Sequence, residues 1–336
     1  MDIGNQKSKH LRIVNKTTKK ILLNYILSPL LMVLLLWLIY RQVTQKDDFS
    51  TQWQSFKNHF QEGNKWILIL VLLMAPLNWM LEAAKWHRLL KKIQPLSYVR
   101  AFASTLTGIA FAIVTPNKIG DFAGRILYVN DKNKLRAAIA TLISNLSQTI
   151  VTYSFGIAGL IYFNIAHPGT WQKLTLLVAL VSASVLTFIY LRVDLIANWA
   201  EGKKWLRKII VSIHILKRYS RKDLLELLAI SACRFCVYNL QFLILANVFG
   251  AIIPWLSGIL VSGLMFWMIT VIPSIFVADL GVRGYIANLL FIATTIAANS
   301  VSILAASYMI WLLNLVLPAI VGSILVMTIR FSKEKG

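Results

Sequence analysis

Charge is scarce in this sequence, and negative charge scarcer still. Of its 336 residues 14% are charged, and only 13 are acidic against 35 Lys and Arg. The usual marks of catalysis are missing as well. There is no H-E-x-x-H, no nucleotide-binding glycine loop and no D-D-x-x-D cluster, and Asp47 and Asp48 stand alone. The five histidines, at 10, 59, 87, 167 and 214, are scattered, which excludes a metal centre built on them. The two cysteines form a C-R-F-C, Cys233 and Cys236, inside a hydrophobic segment. Without further ligands or a soluble fold around them they are expected to be small buried core residues. No metal or cofactor is therefore expected.

Hydrophobic residues make up 57% of the chain, and they are arranged in long uncharged runs. Residues 21–40, 137–166, 174–191, 235–278 and 284–329 contain no Asp, Glu, Lys or Arg. About 20 apolar residues in a helix span the ~30 Å hydrocarbon core, so the two longest runs can each supply two helices. A soluble helical bundle is a poor fit to this pattern. The expected fold is all-α, a multi-pass transmembrane helical bundle of about six full spans plus two re-entrant or short-helix hairpins in an inverted repeat.

A net charge of +22 raises the possibility of nucleic acid, but the cations lie between hydrophobic runs instead of along one amphipathic surface. No nucleic-acid partner is expected. Residues 1–20 carry six Lys or Arg, 85–100 five and 192–222 nine, whereas 166–173 has one and 250–254 none. The positive-inside rule places the first three in the cytoplasm, with both termini. The basic leader is too long for a cleavable signal peptide and no small-residue cleavage site follows it, so 21–40 is expected to persist as a span.

This orientation divides the chain into a basic cytoplasmic N-terminus (1–20), a first transmembrane half (21–191) with a hairpin at 101–130, and a basic cytoplasmic interfacial segment (192–222). A second half (223–330) with a hairpin at 255–299 and a cytoplasmic tail (331–336) follow. Phe49, Trp53, Phe56 and Phe60 fall on one helical stripe and predict a helix on the outer interface. Leu206, Ile209, Ile213 and Leu216 do the same for the basic segment, read as a helix on anionic headgroups or a solvated loop.

Two charged interruptions break the hydrophobic pattern. "TPNKIGDFAGR" occupies 115–125, and "PSIFVADLGVRG" occupies 273–284. Each places a helix-ending proline, Pro116 or Pro273, ahead of a D-x-x-x-R, Asp121 with Arg125 and Asp279 with Arg283. With both flanks of the first interruption cytoplasmic and the C-terminus inside, the second enters from the opposite face, as in inverted-repeat transporters.

Ionisable groups at membrane depth face a partner or a hydrated cavity. An acid and an arginine four apart share a helical face, so each pair either neutralises itself and pins a helix end or serves a ligand. Helix starts after the prolines direct amides at the breaks, and Lys118, Arg125, Arg234 and Arg283 outnumber Glu82, Asp121 and Asp279. That surplus predicts an anion, for which arginine offers bidentate bonding. The expected binding set is Arg125, Arg283, Asp121, Asp279, Lys118 and Arg234, with Pro116, Gly120, Pro273 and Gly281 shaping the breaks. Polar stripes on other spans are read as hydrogen-bond seams or as a groove formed by Asn78, Glu82, Asn145, Gln148, Thr152, Tyr238, Gln241, Ser307, Trp311 and Asn314.

In these two motifs the chain resembles the flippase-like family that includes the transmembrane region of lysylphosphatidylglycerol synthase. Its first motif joins Thr-Pro to a glycine, an acid and an arginine; its second ends in G-V-R-E. Here Asp121 stands for the usual Glu, Gly284 for the Glu after Arg283, and Asp279 for a glycine. The resemblance covers nearly the whole chain and implies a multi-pass protein of the bacterial cytoplasmic (inner) membrane that translocates a lipid or supports synthesis of a modified lipid or lipid-linked glycan. Lysine transfer is not implied, since no aminoacyl-transferase domain is seen. The resulting expectation is a lipid translocator binding an anionic phospholipid or lipid-linked phosphate headgroup. The alternatives are a membrane-embedded transferase or hydrolase of lipid-linked substrates, with Glu82, Asp121 or Asp279 as base, and a scaffold for lipid or glycan biosynthesis enzymes.

Overall fold

The computed structural model describes residues 49–62, 65–113, 115, 119–201, 210–272, 276–294 and 299–334. Residues 1–48, and with them the expected first span, lie outside the described residues, as do Pro116, Lys118 and Pro273. Among the described residues the chain is helical throughout, without a strand. Five helical stretches among the described residues are long and apolar enough to cross a membrane: Lys65–Leu90, Asp131–Ala166, Thr170–Leu191, Arg221–Val248 and Ser300–Val326. This is a multi-pass helical membrane protein.

The elements in order are α1 (Phe49–Glu62), α2 (Lys65–Leu90), α3 (Tyr98–Ile113), α4 (Gly120–Arg125) and α5 (Lys134–Ala166). Then come α6 (Thr170–Leu191), α7 (Val193–Glu201), α8 (Ile210–Ile213) and α9 (Arg221–Val248). The chain continues with α10 (Trp255–Val271), α11 (Phe276–Thr294), α12 (Ser300–Trp311) and α13 (Leu317–Glu334). A π turn, Leu312–Val316, joins the last two without a break.

Close packing follows the small residues. Helices α5 and α10 lie against each other where a Cβ on Gly159 would sit 2.1 Å from the Leu260 carbonyl oxygen and one on Gly263 2.9 Å from that of Phe155. Backbones in lipid approach this closely only where side chains are absent. Helix α13 meets α3 in the same way, with Gly322 against Leu106. Helix α6, by contrast, presents Leu174, Leu177, Val181, Val185 and Phe188 outward, as a lipid-facing span does.

Helix α9 begins with a capping box: Ser220 Oγ accepts from the Asp223 amide at 3.2 Å, and Asp223 accepts from the Ser220 amide at 2.8 Å. It ends at Val248; Phe249 beyond it stands 5.3 Å from Phe56 of α1, and Gly250 follows with a φ of 89°, which suits glycine. The expected aromatic helix is thus present, and part of its stripe contacts the bundle.

In the basic segment, Ile215, Leu216 and Tyr219 are buried, and Tyr219 donates to the Leu89 carbonyl at 3.0 Å. Burial, with Asp223 close by, pushes the Tyr219 phenol above its ordinary range. Lys203, Lys204, Arg207 and Lys208 lie outside the described residues. One expectation fails: Cys233 and Cys236 are exposed. Three residues apart on α9, they share its outer face, while Ser231 and Phe235 take the inner one.

Candidate functional site

Both interruptions are real breaks between helices: α3 ends at Ile113 and α4 starts at Gly120, and α10 ends at Val271 and α11 starts at Phe276. They are unequal, because α4 has 6 residues and α11 has 19. In each, the D-x-x-x-R occupies the first turns of the helix after the break. Arg125 Nε donates to Asp121 Oδ1 at 2.8 Å, and Arg283 Nη2 to Asp279 Oδ2 at 3.4 Å.

The first break is braced by its own backbone. Thr115 Oγ1 accepts from the Gly120 amide at 2.7 Å, and a Cβ on Gly120 would lie 2.1 Å from the Phe111 carbonyl oxygen. Gly120 is therefore a packing glycine, with its amide already engaged. Trp86 Nε1 donates to Ser104 Oγ, and Ser104 donates to the Arg125 carbonyl, each at 3.0 Å. The Arg125 guanidinium carbon stands 5.4 Å from the Trp86 ring centre, within cation–π range.

Glu82 on α2 draws three cations together. Its Oε1 accepts from Arg125 Nη2 at 2.8 Å, and its Oε2 lies 3.0 Å from Lys85 Nζ and 3.1 Å from Arg234 Nη1. Arg234 also donates to Asn78 Oδ1 at 2.8 Å and Gln148 Oε1 at 3.0 Å, which accounts for the arginine in the middle of α9. Lys85 reaches the Ser144 carbonyl at 3.2 Å and Ser231 Oγ at 3.3 Å.

The second pair is held more loosely. Arg283 Nη1 donates to the Tyr238 hydroxyl at 3.2 Å, and Trp311 Nε1 donates to Asp279 Oδ2 at 3.2 Å. Both arginines are buried, at 3% and 5% exposure, yet Arg125 Nη1 and Arg283 Nε have no hydrogen-bond partner among the described residues. Buried guanidinium donors without partners are costly unless a ligand or water takes them.

These groups line one cavity of about 580 Å³, with Asn78, Glu82, Lys85, Asp121, Arg125, Asn145, Gln148, Thr152, Arg234, Tyr238, Asp279, Arg283, Trp311 and Asn314 in its wall. Among the described residues its charged lining comprises four cations (Lys85, Arg125, Arg234, Arg283) and three carboxylates (Glu82, Asp121, Asp279).

Most of the expected site residues thus meet in one place. Gly120 and Gly281 are absent from the described lining, and Gln241 serves it from outside. Gln241 Oε1 accepts from Asn314 Nδ2 at 2.8 Å, and Gln241 Nε2 donates to the Val71 carbonyl at 2.9 Å, a turn before Pro76 of α2. Ser307 is buried without lining the cavity. Lys85, which the charge pattern groups with the basic residues after α2, also lines the cavity. Its signal was the spacing Asn78, Glu82, Lys85, a single helical stripe.

No curated protein matches the chain. A family model described as the lysylphosphatidylglycerol synthase TM region does match, over residues 21–323. The chain belongs to the lysylphosphatidylglycerol synthase TM region family, as an integral membrane protein of that family.

Proposed function

We propose that this protein is a lipid translocator that binds an anionic phospholipid or lipid-linked phosphate headgroup between its two broken helix pairs. The observation that carries the reading is the convergence of Arg125 and Arg283, from separate breaks, on one cavity in which each keeps an N–H without a partner among the described residues. Four cations against three carboxylates leave room for one negative charge, and guanidinium forks match phosphate oxygens. The hydroxyls and amides around them suit the rest of a polar headgroup, while the acyl chains stay in the bilayer.

Translocation follows if the halves carrying the two breaks rock against each other and expose the cavity to alternate faces of a bacterial cytoplasmic membrane. The lining carboxylates favour this over acid–base chemistry. Each is engaged by a cation: Glu82 by three, Asp121 by Arg125 and Asp279 by Arg283. None is poised to take a proton from a substrate.

The test is headgroup flipping in proteoliposomes with a fluorescent phosphatidylglycerol and an external quencher. The wild-type protein is expected to expose inner-leaflet lipid faster than the Arg125→Ala, Arg283→Ala double variant. Equal rates overturn the proposal.

A further inference from the structure

The bonding of Arg125 specifies how a phosphate would be admitted. Its Nε is committed to Asp121 and its Nη2 to Glu82, while Nη1 has no partner among the described residues. A bidentate grip on a phosphate through the end of the guanidinium needs Nη1 and Nη2 together. One is already available, and the other is held only by Glu82. If that bond opens, Asp121 still orients Arg125 through Nε, so the fork is released without losing its aim.

Glu82 can let go at limited cost. Its other oxygen is shared by Lys85, one turn along the same helix, and Arg234, so its charge remains compensated when Arg125 turns away. Arg234 is in turn steadied by Asn78 and Gln148. The carboxylate already stands where a phosphate oxygen would, against the same guanidinium.

We infer that Glu82 is the resident counter-anion of Arg125, exchanged for an oxygen of an incoming phosphate, and that this exchange sets the affinity of the cavity. The inference rests on the lipid-phosphate reading above. Glu82 acts through Arg125 and is a positioning residue. Its presence keeps affinity modest, as a translocator requires in order to release its cargo.

The experiment measures binding by calorimetry in a neutral maltoside detergent, using dihexanoyl phosphatidylglycerol in one arm and inorganic phosphate in the other. The wild-type protein is compared with Glu82→Gln and with Glu82→Gln, Lys85→Met. The double variant restores the balance of buried charge and decides the matter should the single variant not fold. Both variants are expected to bind the lipid about tenfold more tightly or better, because in either a neutral amide oxygen holds Nη2 of Arg125 more weakly than the carboxylate does. Tightening in the lipid arm alone identifies a lipid headgroup as the ligand; tightening in both arms identifies phosphate itself.

Unchanged or weaker binding by the double variant, with wild-type binding intact, overturns the counter-anion role and leaves the translocator reading standing. A gain by the single variant that vanishes in the double variant also overturns it, since net charge then accounts for the effect. A wild-type protein that binds neither probe removes both proposals together.

Discussion

Gly108 faces Asp121 across the first break so closely that a Cβ at position 108 would lie 2.4 Å from Asp121 Oδ1 and 2.9 Å from Arg125 Cγ. The ion pair at the cavity thus depends on a missing methyl group one helix away. Gly108→Ala is expected to push Asp121 off Arg125 and to cost about 1–3 kcal/mol through overpacking. Thermal unfolding in detergent measures the cost, and the flipping assay should show activity falling further than stability. A variant with full flipping would mean that the Asp121–Arg125 geometry is immaterial.

The two arginines carry different bonds, and lysine tests what each contributes. Arg125→Lys and Arg283→Lys keep the charge but lose the planar fork. Each is expected to weaken binding of short-chain phosphatidylglycerol by about tenfold, corresponding to about 1.4 kcal/mol. Titration calorimetry reads this directly. Wild-type affinity in both would show that charge alone suffices.

Trp311 tethers the other acid. Trp311→Phe keeps most of the ring but removes the donor to Asp279 Oδ2, and is expected to lower stability by about 1–3 kcal/mol. Asp279 would then be drawn more strongly to Arg283, so anion affinity should fall as well. Retained affinity in a destabilised variant would confine Trp311 to packing.

Topology can be probed without disturbing the breaks. Gly120 is unsuitable for a reporter, since any side chain there meets the Phe111 carbonyl. Ile119, 63% exposed, and Ile272, 38% exposed, flank the two breaks. Single cysteines at these positions, in a background with the exposed Cys233 and Cys236 replaced by alanine, are expected to label from opposite sides of the membrane. Labelling from one side only would rule out the inverted arrangement of the breaks.

Much of this site is legible in the sequence alone. A spacing of four puts Asp121 beside Arg125 and Asp279 beside Arg283 in any helix, and both contacts are present. Stripes such as Asn145, Gln148 and Thr152 marked the faces that line the cavity. What escaped is what depends on neighbours distant in sequence. Glu82 meets Arg125 and Arg234 from 43 and 152 positions away, and no local pattern announces either contact. Lys85 escaped for another reason. The charge pattern assigns 85–100 to a cytoplasmic segment, while α2 runs on to Leu90 and carries Lys85 into the protein. Cys233 and Cys236 lie off the stripe of Arg234, Tyr238 and Gln241, on apolar faces of α9 whose composition alone does not distinguish contact with lipid from contact with protein.

The π turn at Leu312–Val316 gives the last span a consequence of its own. A π turn holds one residue more than an α turn, so it shifts the angular phase of everything after it by about 100°. Before it, Trp311 is aimed at Asp279; after it, Gly322 meets the carbonyl of Leu106. Residues 311 and 322, which a regular helix would put on nearly one face, therefore meet different neighbours.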